Sequence, residues 1–121
     1  MKKVLSILLI ILILGCFVGC ESIPEGMPEH TYKIGVKALE VTDKYLDLEI
    51  SREEAEEEME ELYERISDYY DMSKDEKTLG INLFISSIYT ELYSVNCSDS
   101  EIIESRNNLA IRLDKPTRDY Y

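Results

Sequence analysis

The residues able to do chemistry are few and poorly placed for it. His30 is the only histidine in the 121-residue chain, so a Ser–His or Cys–His nucleophilic pair has one available base and nothing beside it to orient the ring. Of the three cysteines, Cys16, Cys20 and Cys97, the last is separated from His30 by most of the domain that follows the N-terminal segment. No second Cys or His stands at ligand spacing from it, so a zinc site has no support. Carboxylates number 25, and with so many, any spacing turns up by chance. Glycosidase chemistry needs two of them across a cleft that a domain this small rarely builds. The run Glu53, Glu54, Glu56, Glu57 and Glu58 invites a calcium reading. Side chains spread around a continuous helix do not converge as the loop ligands of a calcium cage must, which favours a solvated acidic face. No Gly-rich phosphate loop appears. The expectation is a protein that is not an enzyme and holds no cofactor or metal.

Cys16 and Cys20 stand in a different setting. Lys2 and Lys3 give a positive start, Val4 to Leu14 is apolar apart from Ser6, and the run closes on Gly15-Cys16 and again on Gly19-Cys20. A basic flank, an apolar run and small residues at its end make a secretory signal. The run is shorter than the ~20 apolar residues a spanning helix usually needs, with a short uncleaved anchor as the alternative. Lysines before it and Glu21 after it place the N-terminus in the cytoplasm and everything downstream outside. The segment resembles a bacterial lipoprotein signal peptide. That resemblance implies cleavage directly before a cysteine whose sulfur carries diacylglycerol. Ile13-Leu14-Gly15-Cys16 and Phe17-Val18-Gly19-Cys20 both qualify. Cys20 is the expected lipidated residue because its signal has the more ordinary length, and Cys16 is the alternative. The implied address is the outer, extracytoplasmic face of the cell membrane.

Charge then bounds the partners. The chain carries a formal net charge of −12, and losing Lys2 and Lys3 with the signal makes the remainder more negative still. Nucleic acid is excluded, since affinity there comes from neutralising phosphates with Lys and Arg. An anionic lipid surface repels the chain too. Around Pro24, Gly26 and Pro28 regular structure breaks, so 20–30 reads as the lipidated cysteine and a short tether. Spanning on the order of 15 to 20 Å as a flexible coil, it keeps the domain near the membrane.

Positioning falls to the elements after the tether. Ser51-x-x-Glu54, Ser73-x-x-Glu76 and Ser98-x-x-Glu101 each place a serine acceptor and a returning glutamate ahead of an apolar-periodic run, the signature of a capping box. They divide the chain into helices of about 31–46, 51–70, 74–95 and 99–113. In the second, Ala55, Met59, Leu62, Tyr63, Ile66 and Tyr70 share one face. In the first, Lys33, Lys37 and Lys44 lie on the polar side, where an antiparallel partner brings the glutamates of the second within reach, at ~0 to 1 kcal/mol per surface pair. Lys115-Pro116 ends the fourth helix. The fold class is all-α: a small antiparallel bundle of about four helices over 31–114, behind the signal segment 1–19 and followed by a flexible tail at 115–121. Three helices on a partly ordered first segment is the alternative.

Two places break the pattern. Arg106 falls inside the apolar stripe of the fourth helix, where the preferred reading lets its stem pack while the guanidinium reaches water, over a buried ion pair. The third helix has Glu91 as its only charge between Thr78 and Val95. Ile81, Phe84, Ile85, Ile88 and Leu92 make its core face, yet Leu79, Leu83 and Tyr93 lie on the opposite side with Ser86 and Thr90 between them. Either the helix is central and covered on both sides, the preferred reading, or that second stripe is an exposed interface. Gly80 is expected to allow close helix approach in both cases. Two function classes follow: a lipid-anchored helical module that binds a protein or envelope partner or itself, without catalysis; or a small-molecule or ion-binding lipoprotein, with a carboxylate-based hydrolase behind it.

Overall fold

The computed structural model describes residues 22–120, and helices account for most of them: α1 (Glu29–Leu46), α2 (Arg52–Ser73), α3 (Glu76–Tyr93) and α4 (Asp99–Arg112). The signal segment, with Cys16 and Cys20, lies outside the described residues. There is no strand among the described residues, and no helix there is long and apolar enough to cross a membrane.

Side chains that satisfy orphan N–H groups set where the helices begin. Ser51 accepts from the Glu54 N–H and caps α2. At Ser98 the whole reciprocal box forms, Oγ taking the Glu101 N–H while Glu101 takes the Ser98 N–H. The third box does not form. Ser73 is the last residue of α2, Lys74 turns left-handed at φ 55°, and Asp75 caps α3 by accepting from Thr78 N at 2.8 Å. Aspartate caps as well as serine, and a two-residue joint leaves no room for Ser73 to leave α2. α1 starts behind Pro28 with no side-chain cap.

Helix ends carry a signal the sequence hides. α1 closes with Leu48 N–H to the Tyr45 carbonyl at 3.1 Å and Glu49 N–H to Lys44 at 2.8 Å; α4 closes with Asp114 to Ile111 at 3.2 Å and Lys115 to Ala110 at 2.8 Å. Both are Schellman motifs. Their left-handed residues, Leu48 at φ 62° and Asp114 at φ 55°, are not glycine.

Contacts between helix ends fix the topology. Arg52 at the start of α2 reaches Leu92 and Glu91 at the end of α3, and Ser67 late in α2 meets Asn82 early in α3, so these two run antiparallel. Tyr45 at the end of α1 bonds Asp99 at the start of α4, again antiparallel. Thr31 and Thr78, near the starts of α1 and α3, share a buried hydroxyl contact of 2.7 Å, so the diagonal pair is parallel. Thr78 spends its own proton on Asp75 at 2.9 Å, which makes Thr31 the donor. That diagonal is the closer one, whereas the backbones of α2 and α4 stay further apart, with no pair of Cα atoms within 8 Å.

The core is where the periodicity places it. Ala55, Met59, Leu62 and Ile66 are buried from α2, Ile81, Ile85, Ile88 and Leu92 from α3, and Ile102, Ile103, Leu109 and Ala110 from α4, with Leu113 closing the end. Burying each large aliphatic side chain contributes about 1.5–3 kcal/mol. Close helix approach occurs at Gly35, not Gly80. A Cβ on Gly35 would stand 2.9 Å from Leu113 Cδ2, whereas one on Gly80 would meet nothing nearer than the Arg112 guanidinium at 3.5 Å. Two lysines of α1 pair within their own helix, Lys33 with Glu29 at 3.0 Å and Lys37 with Glu40 at 3.6 Å, although Lys37 also borders Glu58 and Glu61 of α2.

Both ends of the domain are docked. Met27 packs on the core, and Lys77 Nζ donates to the Glu25 carbonyl, so the second half of the expected tether lies against the bundle.

Candidate functional site

The stripe Leu79, Leu83, Tyr93 is on the surface, which corrects the expectation that α3 is central and covered on both sides. Leu83 is 58% exposed and Tyr93 69%, with Leu79 half-buried. Four helices of this length form one layer around one core, so each keeps an outer side. On α3 that side has no charge from Thr78 to Thr90. Two of its exposed hydroxyls are satisfied by the helix's own backbone, Ser87 Oγ donating to the Leu83 carbonyl at 3.1 Å and Thr90 Oγ1 to the Ser86 carbonyl at 2.8 Å.

The two flanks of this face differ. Toward α2, Tyr63 and Tyr89 stack with ring centroids 6.1 Å apart and planes 5° off parallel. Burial pushes the Tyr89 phenol up, and the charges of Glu60, Glu56 and Glu64 push it the same way. Toward α4, the Arg112 guanidinium lies 5.6 Å over the Phe84 ring and beside Gly80, a cation–π arrangement. Sequence reasoning named the α3 residues but missed Tyr63 and Tyr89 as a pair; their only signal was an aromatic on each of two neighbouring helix flanks.

A second cluster joins α1, α4 and the C-terminal segment. Arg106 is 6% exposed, and its guanidinium is held by Asp43 through Nε–Oδ1 at 2.9 Å and Nη2–Oδ2 at 3.0 Å, with Nη1 donating to Pro116 O at 2.7 Å and Asn107 Oδ1 at 3.2 Å. The expectation of a guanidinium in water is corrected: this is the buried ion pair. The segment expected as a loose tail folds back over the guanidinium and shields it from most water. Arg118 donates to Asp43 at 3.2 Å and Asp47 at 2.8 Å, and Asn107 exchanges hydrogen bonds of 2.8 Å with the Arg118 backbone. The Arg118 hydrogen bond holds the Asp47 carboxyl below the usual range. Beside it lies an open hollow of about 390 Å³ lined by Val36, Leu39, Glu40, Asp43, Arg106, Lys115 and Pro116. Asp43 and Arg106 neutralise each other there, so neither offers an unpaired charge to a ligand.

Other chemistry-bearing side chains stay apart. His30 packs against Tyr69 at 4.8 Å between ring centroids. Cys97 is a free, half-buried thiol donating to Glu101 Oε2 at 2.9 Å, a bond that with burial pushes it up to about 11. Arg52 is spent on the end of α3, donating to the carbonyls of Leu92 at 2.8 Å, Glu91 at 2.7 Å and Ser94 at 2.7 Å, where a cation meets the negative end of the helix dipole. Glu91 Oε1 takes the Ser105 hydroxyl at 2.6 Å, while its Oε2 is buried with no hydrogen-bond partner. Among the described residues no three His, Cys, Asp or Glu side chains converge as a metal site would need. No protein-family model, curated protein or solved structure matches the chain.

Proposed function

We propose that this is a small protein held to the outer face of a cell membrane by a diacylglycerol-modified Cys20, and that it works by binding another protein through the outer side of α3, without catalysis of its own. The observation that carries the interaction is an exposed helix side with no charge from Thr78 to Thr90, in a chain of net charge −12. Exposed carboxylates of α2 border it, and an exposed apolar patch rimmed by polar residues marks an interaction site. The anchor rests on the signal segment, each buried methylene of a lipid chain contributing ~0.8 kcal/mol.

A photo-crosslinking residue at Leu83 of the full chain in its membrane tests the interaction. A discrete adduct at Leu83, absent when the same residue replaces Glu57, supports it, and absence of any adduct refutes it. Labelling with a palmitate analogue tests the anchor. Cys20→Ala should remove the label and Cys16→Ala should keep it; label lost only with Cys16→Ala moves the site, and label kept in both refutes lipidation.

A further inference from the structure

The α3 surface is not symmetric, and its asymmetry describes what it fits. Along the flank of α2 that borders it, Glu56, Glu60 and Glu64 recur every fourth residue, a row of like charges ~6 Å apart at 1.5 Å rise per residue. No described base pairs with them. Arg52 is committed to the end of α3, and Arg65 lies on the opposite flank of α2 with Glu58, Glu61 and Lys37 of α1. Tyr63, between Glu60 and Glu64 on α2, stacks on Tyr89 of α3, which places the row at the edge of the apolar strip, and burial together with its negative charge pushes the Tyr89 phenol up.

Resting on the interaction reading above, we infer that this surface receives a basic amphipathic helix of a partner protein, laid along α2 and α3 with its apolar side on Leu83, Tyr89 and Tyr93 and its cations over Glu56, Glu60 and Glu64. Complementary potential sets the orientation and excludes other occupants. Lysines or arginines at i, i+4 and i+8 of a helix repeat at the same ~6 Å as the glutamates. A helix also brings its own backbone hydrogen bonds satisfied, which an extended segment could not find here, because α2 and α3 offer no free edge. A second copy meeting this face about a two-fold axis across the helices would set one acidic row against the other. Nucleic acid and anionic lipid carry the same sign as the row.

The test uses the full chain in nonionic detergent and a labelled synthetic helix with lysines at i, i+4 and i+8 and leucines on the adjoining face, blanked against empty micelles. Saturable binding is expected, weakened roughly tenfold or more by Glu56→Gln/Glu60→Gln/Glu64→Gln and by Leu83→Ser/Tyr93→Ser, and kept by Glu58→Gln/Glu61→Gln. Glu56→Lys/Glu60→Lys/Glu64→Lys should in turn bind a peptide with glutamates in place of the lysines. No binding, or equal loss with the Glu58/Glu61 control, overturns the inference. So does dimerisation abolished by Leu83→Ser, which would assign the face to a second copy. A Leu83 adduct whose linked segment is not basic refutes this inference and leaves the interaction function standing; absence of any adduct removes both.

Discussion

Arg106 and Asp43 meet as two parallel hydrogen bonds, Nε to Oδ1 at 2.9 Å and Nη2 to Oδ2 at 3.0 Å, tying the middle of α4 to the last turn of α1. The two partners are not equally buried: 8% of the Arg106 side chain is exposed against 30% of Asp43. Removing Asp43 strands a buried cation, while removing Arg106 leaves a partly wet carboxylate that still has Arg118. Asp43→Ala should therefore cost about 3–5 kcal/mol in urea unfolding, Arg106→Met clearly less, and the double variant less than Asp43→Ala alone. Equal losses from the two single variants would mean that the pair is solvated.

Gly35 and Gly80 should respond oppositely to the same methyl group. On Gly35 it would press on Leu113 Cδ2 at 2.9 Å and Cδ1 at 3.0 Å, against a side chain buried in the core. Gly35→Ala should cost ~1–3 kcal/mol by overpacking, and part of that should return when Leu113→Ala is added, as a coupling in a double-mutant cycle. Gly80→Ala should be neutral or stabilise by up to ~1 kcal/mol, because alanine is the better helix former and only a flexible arginine lies near. Denaturation midpoints of the four variants decide it.

Why one glycine was misjudged also explains how far the sequence could be read. Periodicity identifies faces, so the helices and the core stripes of α2 and α4 were legible, down to the Ser51 and Ser98 caps. Which point along a face touches a neighbour depends on crossing geometry, and nothing local to Gly35 or Gly80 encodes it. Helix ends were obscure for a related reason. Leu48, Lys74 and Asp114 sit in the left-handed region that usually announces itself as glycine. Arg106 was misread because, besides its neighbour Asn107, its partners are Asp43 and Pro116, which only the fold brings to it. The apolar stripe of α3 was visible at once, but its exposure was not, since a wheel cannot say how many neighbours a helix has.

Cys97 should be a slow thiol. Its hydrogen bond to Glu101 Oε2 favours the neutral form, and the bond's other end, with the Ser98 backbone N–H, holds Glu101 below its usual value. With Cys97 pushed up to about 11, roughly one molecule in a thousand is thiolate at about pH 8. Alkylation by iodoacetamide, followed at the Cys97 peptide by mass spectrometry, should be far slower than for an unfolded control. Glu101→Gln should accelerate it roughly tenfold or more, because the acceptor loses its charge. A wild-type rate equal to that of the control would show that the contact does not persist in solution.

Glu91 should make the bundle gain from acid. Burial pushes its carboxyl above the ordinary value, with Glu101 and Glu104 acting the same way and only the Ser105 hydrogen bond opposing. Arg52 meets the Glu91 backbone carbonyl, not the carboxylate. An acid whose folded-state value is raised binds its proton more tightly folded than unfolded. Its contribution to stability is therefore present below the unfolded value, near 4.5, and is lost as pH rises through the folded one. Above that, an ionised group with one buried, unpartnered oxygen works against the fold. Glu91→Gln keeps an acceptor for Ser105 and never ionises. It should be more stable than wild type at about pH 7, with the difference shrinking as pH falls through the raised folded value toward 4.5 and levelling off below it. Acid relieves repulsion among the other carboxylates in both proteins alike, so subtracting their unfolding midpoints isolates Glu91, and a difference that stays constant with pH would rule the assignment out.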